Sequence, residues 1–111
     1  MKKTILSILV LFFAFGFSFG QKVYEVKYEN QANVKVYEVK YENQADLLVY
    51  KVSYENQAND AGKWYFVNYE NQAKKKIYFV NYENQADVKV YFVKYANQAG
   101  WKNKSKSHFF R

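Results

Sequence analysis

The sequence predicts an all-β domain of six short repeats closed on themselves into a compact, ring-like body. Three observations carry that expectation. A Tyr-x-Val-x-Tyr-Glu-Asn-Gln-Ala sentence recurs, ending at Ala32, Ala45, Ala58, Ala73, Ala86 and Ala99, with spacings of 13, 13, 15, 13 and 13 residues. Within each unit polar and apolar residues alternate with the period of a strand. The units are also alike from first to last, whereas an open solenoid needs distinct capping repeats. A closed ring in addition hides the strand edges that would invite aggregation.

Residues 1–20 stand apart from the repeats. Lys2 and Lys3 precede an almost unbroken apolar run, Thr4–Phe17, and Ser18-Phe19-Gly20 supplies small residues at a cleavage position. That is the pattern of a secretory signal peptide cut after Gly20, which makes the protein exported, periplasmic or secreted. The alternative is an uncleaved anchor, but the run is short against the ~20 apolar residues that a spanning helix requires. No cysteine is present, so neither lipid attachment at a cysteine nor disulfides can help a domain of this size. Its core must hold unaided or through oligomerisation. His108 is the only histidine, and no zinc-type cluster or other cofactor is expected.

The units follow in order. Val23–Ala32 and Val36–Ala45 are letter for letter the same, VYEVKYENQA. In Tyr37-Glu38-Val39-Lys40-Tyr41 the tyrosines and valine share one strand face and the charges the other, and β-branched and aromatic residues suit a strand. A helix would spread Tyr37, Val39 and Tyr41 over more than half its circumference. Glu-Asn-Gln-Ala then supplies a bend, with asparagine tolerant of a left-handed conformation. A short extended return follows, as in Asp46-Leu47-Leu48-Val49. Between units three and four, Asn59-Asp60-Ala61-Gly62 is a loop signal that accounts for the 15-residue spacing. All 12 tyrosines occupy the two tyrosine positions of the six units. Rings that bury ~150–250 Å² each could form the core, with the Glu, Asn and Gln side chains satisfying their hydroxyls. The last unit departs from the motif at Ala96, and Gly100-Trp101-Lys102 has the look of a partial seventh unit meeting the first strand.

One position splits the chain in two. Between the first tyrosine and the valine stand Glu25, Glu38 and Lys51 in units one to three, but Phe66, Phe79 and Phe92 in units four to six. Either the later strands are covered on both faces by neighbouring chain, or the three rings form an exposed interaction stripe.

Charge adds little. Without Lys2 and Lys3 the chain carries 15 basic and 10 acidic side chains, and four of the cations lie in the acid-free segment Gly100–Arg111. The body is close to neutral and the C-terminal tail 103–111 is a small basic flag. Trp101, Lys102, Lys104, Lys106, Phe109, Phe110 and Arg111 are candidate contacts for an anionic or apolar partner. Export separates them from nucleic acid, and four charges bind it only weakly. The bland reading is a flexible, solvated end. Asn103-Lys104-Ser105 matches a glycosylation sequon.

Behind its leader, the "KVYFVKYANQA" type of unit resembles the 7(1) septoil knot domain family, small exported bacterial proteins whose biological role is unknown. The resemblance covers Lys22 to about Lys102, and Tyr-Glu-Asn-Gln-Ala stands intact in five of the six units. It implies a domain at 21–102 whose backbone winds twice around a ring, giving a seven-crossing torus knot. It also implies a bacterial source, in which the sequon has little weight.

Catalysis needs unlike groups converging in one pocket, while here the same glutamate recurs at 29, 42, 55, 70 and 83. No phosphate loop or nucleophile elbow is written. The expected role is therefore structural or protein-interaction, with no catalysis, by a monomer or weak homo-oligomer that does not span the membrane. The alternative is carbohydrate binding through tyrosine, tryptophan, asparagine and glutamine at the corners. The expected partner is a protein or glycan outside the cytoplasm.

Overall fold

The computed structural model describes residues 21–111; the signal-peptide reading falls on residues outside this span. Seven strands form one sheet: β1 (Gln21–Glu25), β2 (Val34–Glu38), β3 (Leu47–Lys51), β4 (Lys63–Phe66), β5 (Lys75–Phe79), β6 (Val88–Phe92) and the two-residue β7 (Gly100–Trp101). The order is β4-β1-β5-β2-β6-β3, and a β3–β4 pairing closes it into a six-stranded parallel barrel. The expected closure of the repeats is thus realised.

The topology explains the repeat. From β1 to β2 and from β2 to β3 the chain steps over one strand position each time, and β4, β5 and β6 fill those gaps. Units one to three make a first lap and units four to six a second, interleaved with it. No first-lap strand pairs with another first-lap strand; β1 pairs β4 and β5, β2 pairs β5 and β6, and β3 pairs β4, β6 and β7. The longer loop at Asn59–Gly62 sits where one lap gives way to the next, and β4 lands directly beside β3. Each pairing has the same two-residue offset: Trp64 faces Gln21, Ile77 faces Val34 and Val90 faces Leu47. A uniform stagger tilts every strand alike, as barrel closure requires.

Strand alternation sends the residues before the first tyrosine inward. Val23, Val34, Val36, Leu47, Val49, Trp64, Ile77, Val88 and Val90 are all buried to 1% exposure or less. This corrects the expected tyrosine core. Each unit has one strand, made of the return segment plus the first tyrosine and the residue after it, and it ends there. Tyr28, Tyr41, Tyr54, Tyr69, Tyr82 and Tyr95 lie beyond it, 63–68% exposed, and the first tyrosines are half-buried on the outer face beside lysines. Valine packs the narrow interior of a six-stranded barrel in a way that a ring of phenols could not.

The Glu-Asn-Gln corner is a single 3-10 turn, in which Gln31 N–H donates to Tyr28 O at 3.0 Å and Ala32 N–H to Glu29 O at 3.1 Å. The expected left-handed asparagine is absent: among the described residues only Gly62 and Gly100 have positive φ. Nor do the corner amides serve the phenols. Gln57 Oε1 instead accepts the backbone N–H groups of Ser53 and Tyr54, at 3.1 and 3.0 Å. After three of the six corners, an Asn or Asp latches one lap to the other. Asp46 N–H donates to Lys89 O at 2.7 Å while its Oδ2 accepts Lys89 N–H at 2.9 Å. Asp87 makes the same pair with Lys35, and Asn33 with Lys76.

Past the repeats, β7 runs antiparallel to β3, with Leu47 opposite Trp101. It does not continue the pattern to meet the first strand. Lys104–Phe110 is a 3-10 helix, started by Asn103, whose Oδ1 accepts Ser105 N–H at 3.3 Å. Phe110 is 4% exposed and joins the core. The C-terminal segment is therefore a packed plug and not a solvated end. Among the described residues no helix is long and apolar enough to cross a membrane.

Candidate functional site

Three surfaces concentrate the unusual residues: the barrel end reached by the strand C-termini, the opposite end under the plug, and the corners around the girth.

At the first end, the sheet order interleaves the residues that split the chain in two. Around the rim the sequence is Phe66, Glu25, Phe79, Glu38, Phe92, Lys51. The two-lap path produces this, because both barrel neighbours of each first-lap strand belong to the second lap. The phenylalanines are half-buried and pack on the core, while the two glutamates and Lys51 are exposed. Phe79 and Phe92 have ring centroids 6.4 Å apart, and Phe66 and Phe92 set edges against Trp64 at 6.1 and 6.3 Å. Lys51 Nζ lies 5.3 Å from the Phe66 centroid and 4.8 Å from that of Phe92, within cation–π range. The three rings thus line the inside of one rim and make no outward stripe. Their first task is to close the barrel.

At the other end a cavity of about 410 Å³ opens between the strand starts and the C-terminal helix. Leu47, Ala61, Trp64, Trp101 and Phe110 make its apolar wall, and Lys104 and Arg111 lie in its lining without any carboxylate side chain beside them. Trp64 and Phe110 have ring centroids 5.2 Å apart, and Trp101 is 6.1 Å from Phe110. Gln21 Nε2 donates to Phe110 O at 2.6 Å. Two of the lining residues carry a buried polar atom without a partner, Gln21 Oε1 and Trp64 Nε1, the residues being only 4% and 0% exposed.

The candidate tail contacts divide accordingly. Trp101 and Phe110 belong to this cavity, and Phe109 packs on the core. Lys106 Nζ donates to Asp87 O at 3.3 Å and sits 5.9 Å from the Phe109 centroid. Lys102 and Lys104 are exposed, and Arg111 Nη2 donates to Ser107 Oγ at 3.2 Å. Gln21 and Trp64 escaped notice in the sequence. Trp64 had a signal: it stands alone where the five other units carry valine or isoleucine, beside the only irregular spacing.

The corners distribute evenly. Each 3-10 turn packs over a strand of the other lap, the first over β5 and the second over β6, so their tyrosines encircle the barrel. Among the described residues no group of His, Cys, Asp and Glu is placed to hold a metal ion.

The comparisons agree with the architecture. A model of the 7(1) septoil knot domain matches residues 20–102, ending just before the helix that plugs the barrel. No curated protein and no solved structure matches the chain. With six interleaved repeats and a match across most of its length, the chain belongs to the 7(1) septoil knot domain family.

Proposed function

We infer that the protein is an exported, non-catalytic interaction domain, built to present the same contact element many times on a rigid body. One observation carries this reading: six tyrosines at equivalent corners are 63–68% exposed, although tyrosine usually hides most of its ring. Each is followed by Glu or Ala, then Asn and Gln. A phenol with adjacent amides is a contact element of low entropy cost and adaptable hydrogen bonding. Six weak copies on one body gain avidity towards a repetitive partner. The recurrence of the same glutamate at five of the six corners also argues against catalysis, which needs unlike groups with distinct pKa values. A protein partner outside the cytoplasm is the first choice.

The same corner supports a second reading, a carbohydrate-binding module in which sugar rings stack on tyrosine and bond to Asn and Gln. The two readings separate by experiment. A photo-crosslinking amino acid placed in vivo at Tyr41, Tyr54 or Tyr82 should yield defined protein adducts, while one at buried Val36 should not. Binding to envelope polysaccharide by the purified chain, abolished in a Tyr41→Ser/Tyr54→Ser/Tyr82→Ser variant, would favour the glycan. Neither adduct nor glycan binding would reject the corner hypothesis altogether. N-terminal sequencing of the exported protein tests the leader, with Gln21 expected as the first residue.

A further inference from the structure

We propose that the cavity under the C-terminal helix is a binding site for a small hydroxylated amphiphile with an anionic head, of the hydroxy-carboxylic acid class. The cavity, about 410 Å³, has the size of a small-molecule site, typically ~300–1,000 Å³. Its wall is chiefly aromatic and aliphatic, from Leu47, Trp64, Trp101 and Phe110, which calls for an apolar body.

The polar requirement comes from two atoms. Buried donors and acceptors nearly always have partners, and one left alone is destabilising. Trp64 Nε1 is a donor with none, and Gln21 Oε1 an acceptor with none. The two residues are register partners on β4 and β1, and Gln21 is held in place by the hydrogen bond that its Nε2 donates to Phe110 O. A single hydroxyl satisfies both, accepting from the indole N–H and donating to the amide oxygen. A carboxylate alone cannot, because it has no proton for Gln21. The anionic head follows from Lys104 and Arg111, since no acidic side chain lines the cavity to neutralise them. This part of the wall comes from residues 103–111, beyond the family match, so the site is a property of this chain and not of the repeat ring.

The chain carries its own reporter, because its 2 tryptophans, Trp64 and Trp101, both line the cavity. The test titrates the purified chain, as the cell produces it, with 3-hydroxydodecanoate, dodecanoate and dodecanol below their aggregation limits, following tryptophan fluorescence and calorimetric heat. The expected order is hydroxy acid, then acid, then alcohol, with the hydroxyl and the charge each contributing about tenfold, or ~1.4 kcal/mol. Lys104→Gln/Arg111→Gln should erase the preference for acid over alcohol but keep that for the hydroxyl. Ala61→Phe, which fills the cavity, should abolish binding without loss of the folded signal. Equal affinity for the hydroxy acid and the acid overturns the bridging hydroxyl, leaving a water between Trp64 and Gln21. Absence of any saturable response to all three overturns the site.

Discussion

Trp64 stands in a layer where Val23, Val36, Val49, Ile77 and Val90 are its counterparts, and it is wholly enclosed. Its ring meets Phe66 and Phe92 above and Phe110 below, so it links the rim to the plug. Trp64→Ala is expected to cost ~3–5 kcal/mol. Tyr41→Ala, at 63% exposure, should fall within ~0.5 kcal/mol of wild type. Urea denaturation of both variants checks the inversion of the expected tyrosine core, and equal losses would contradict it. Gly62 is constrained in another way. Its φ is +83°, and an added Cβ would lie 2.4 Å from Leu48 O and 2.6 Å from Gly100 N. Gly62→Ala therefore meets both backbone strain and overlap with main chain, and should lose more than ~1 kcal/mol, with Tm as the readout. The Asn and Asp latches were the least visible at this scale. Asp46 reads only as the start of the extended return, but its partner is Lys89, 43 positions away, and no local pattern announces a bond of that span.

At the scale of elements, the repeat spacing and the alternation made the six strands legible, down to the loop before β4. The errors arose where one strand stops. Counting alternation from Tyr37 through Val39 to Tyr41 assigns three residues to one face, whereas β2 ends at Glu38 and a 3-10 turn follows at Glu42–Gln44. Val39 is buried out of phase, tied by its N–H to Val90 O at 2.9 Å, and nothing in the unit distinguishes it from a strand residue. The C-terminal helix was illegible for a different reason, since a single copy of a non-repeating sequence offers no register. Its lysines suggested a solvated end, yet Phe110 does the packing. Phe110→Ala should therefore cost about 3–5 kcal/mol and lower Tm by more than ~10 °C. Lys102→Ser/Lys104→Ser should move Tm by less than ~3 °C, because both cations are exposed. A tail that tolerates both changes equally would not be a plug. The surface ion pairs, such as Lys22–Glu55 at 2.9 Å and Lys76–Glu70 at 3.5 Å, each add no more than ~1 kcal/mol, so stability lies with the core and the ladder.

For the whole molecule the decisive property is that the laps depend on each other. In a solenoid each repeat contacts its neighbours in sequence, and a fragment keeps part of the fold. Here β1, β2 and β3 have no pairing among themselves, and their hydrogen bonds all run to strands of units four to six or to β7. A peptide of residues 21–59 should accordingly be unstructured on its own, as should one of residues 60–111, whose β4, β5 and β6 likewise make no bonds to one another. Mixed together they should regain the β signal of the intact chain, with a concentration-dependent midpoint. Persistent structure in either fragment alone would refute the interdependence. Folding of the intact chain should be slow, since every ladder except β3–β4 joins distant segments and must close a long loop before its contacts form. The seven-crossing path that the family name describes makes a further claim at this scale, for threading raises the barrier to leaving the fold more than it deepens the equilibrium. A chain cut once between Asn59 and Asp60 keeps the same strand pairings but can release without unthreading. Its unfolding rate in denaturant should exceed that of the intact chain by far more than their difference in stability accounts for. Equal unfolding rates at matched stability would mean that the barrier resides in the interleaved ladder alone.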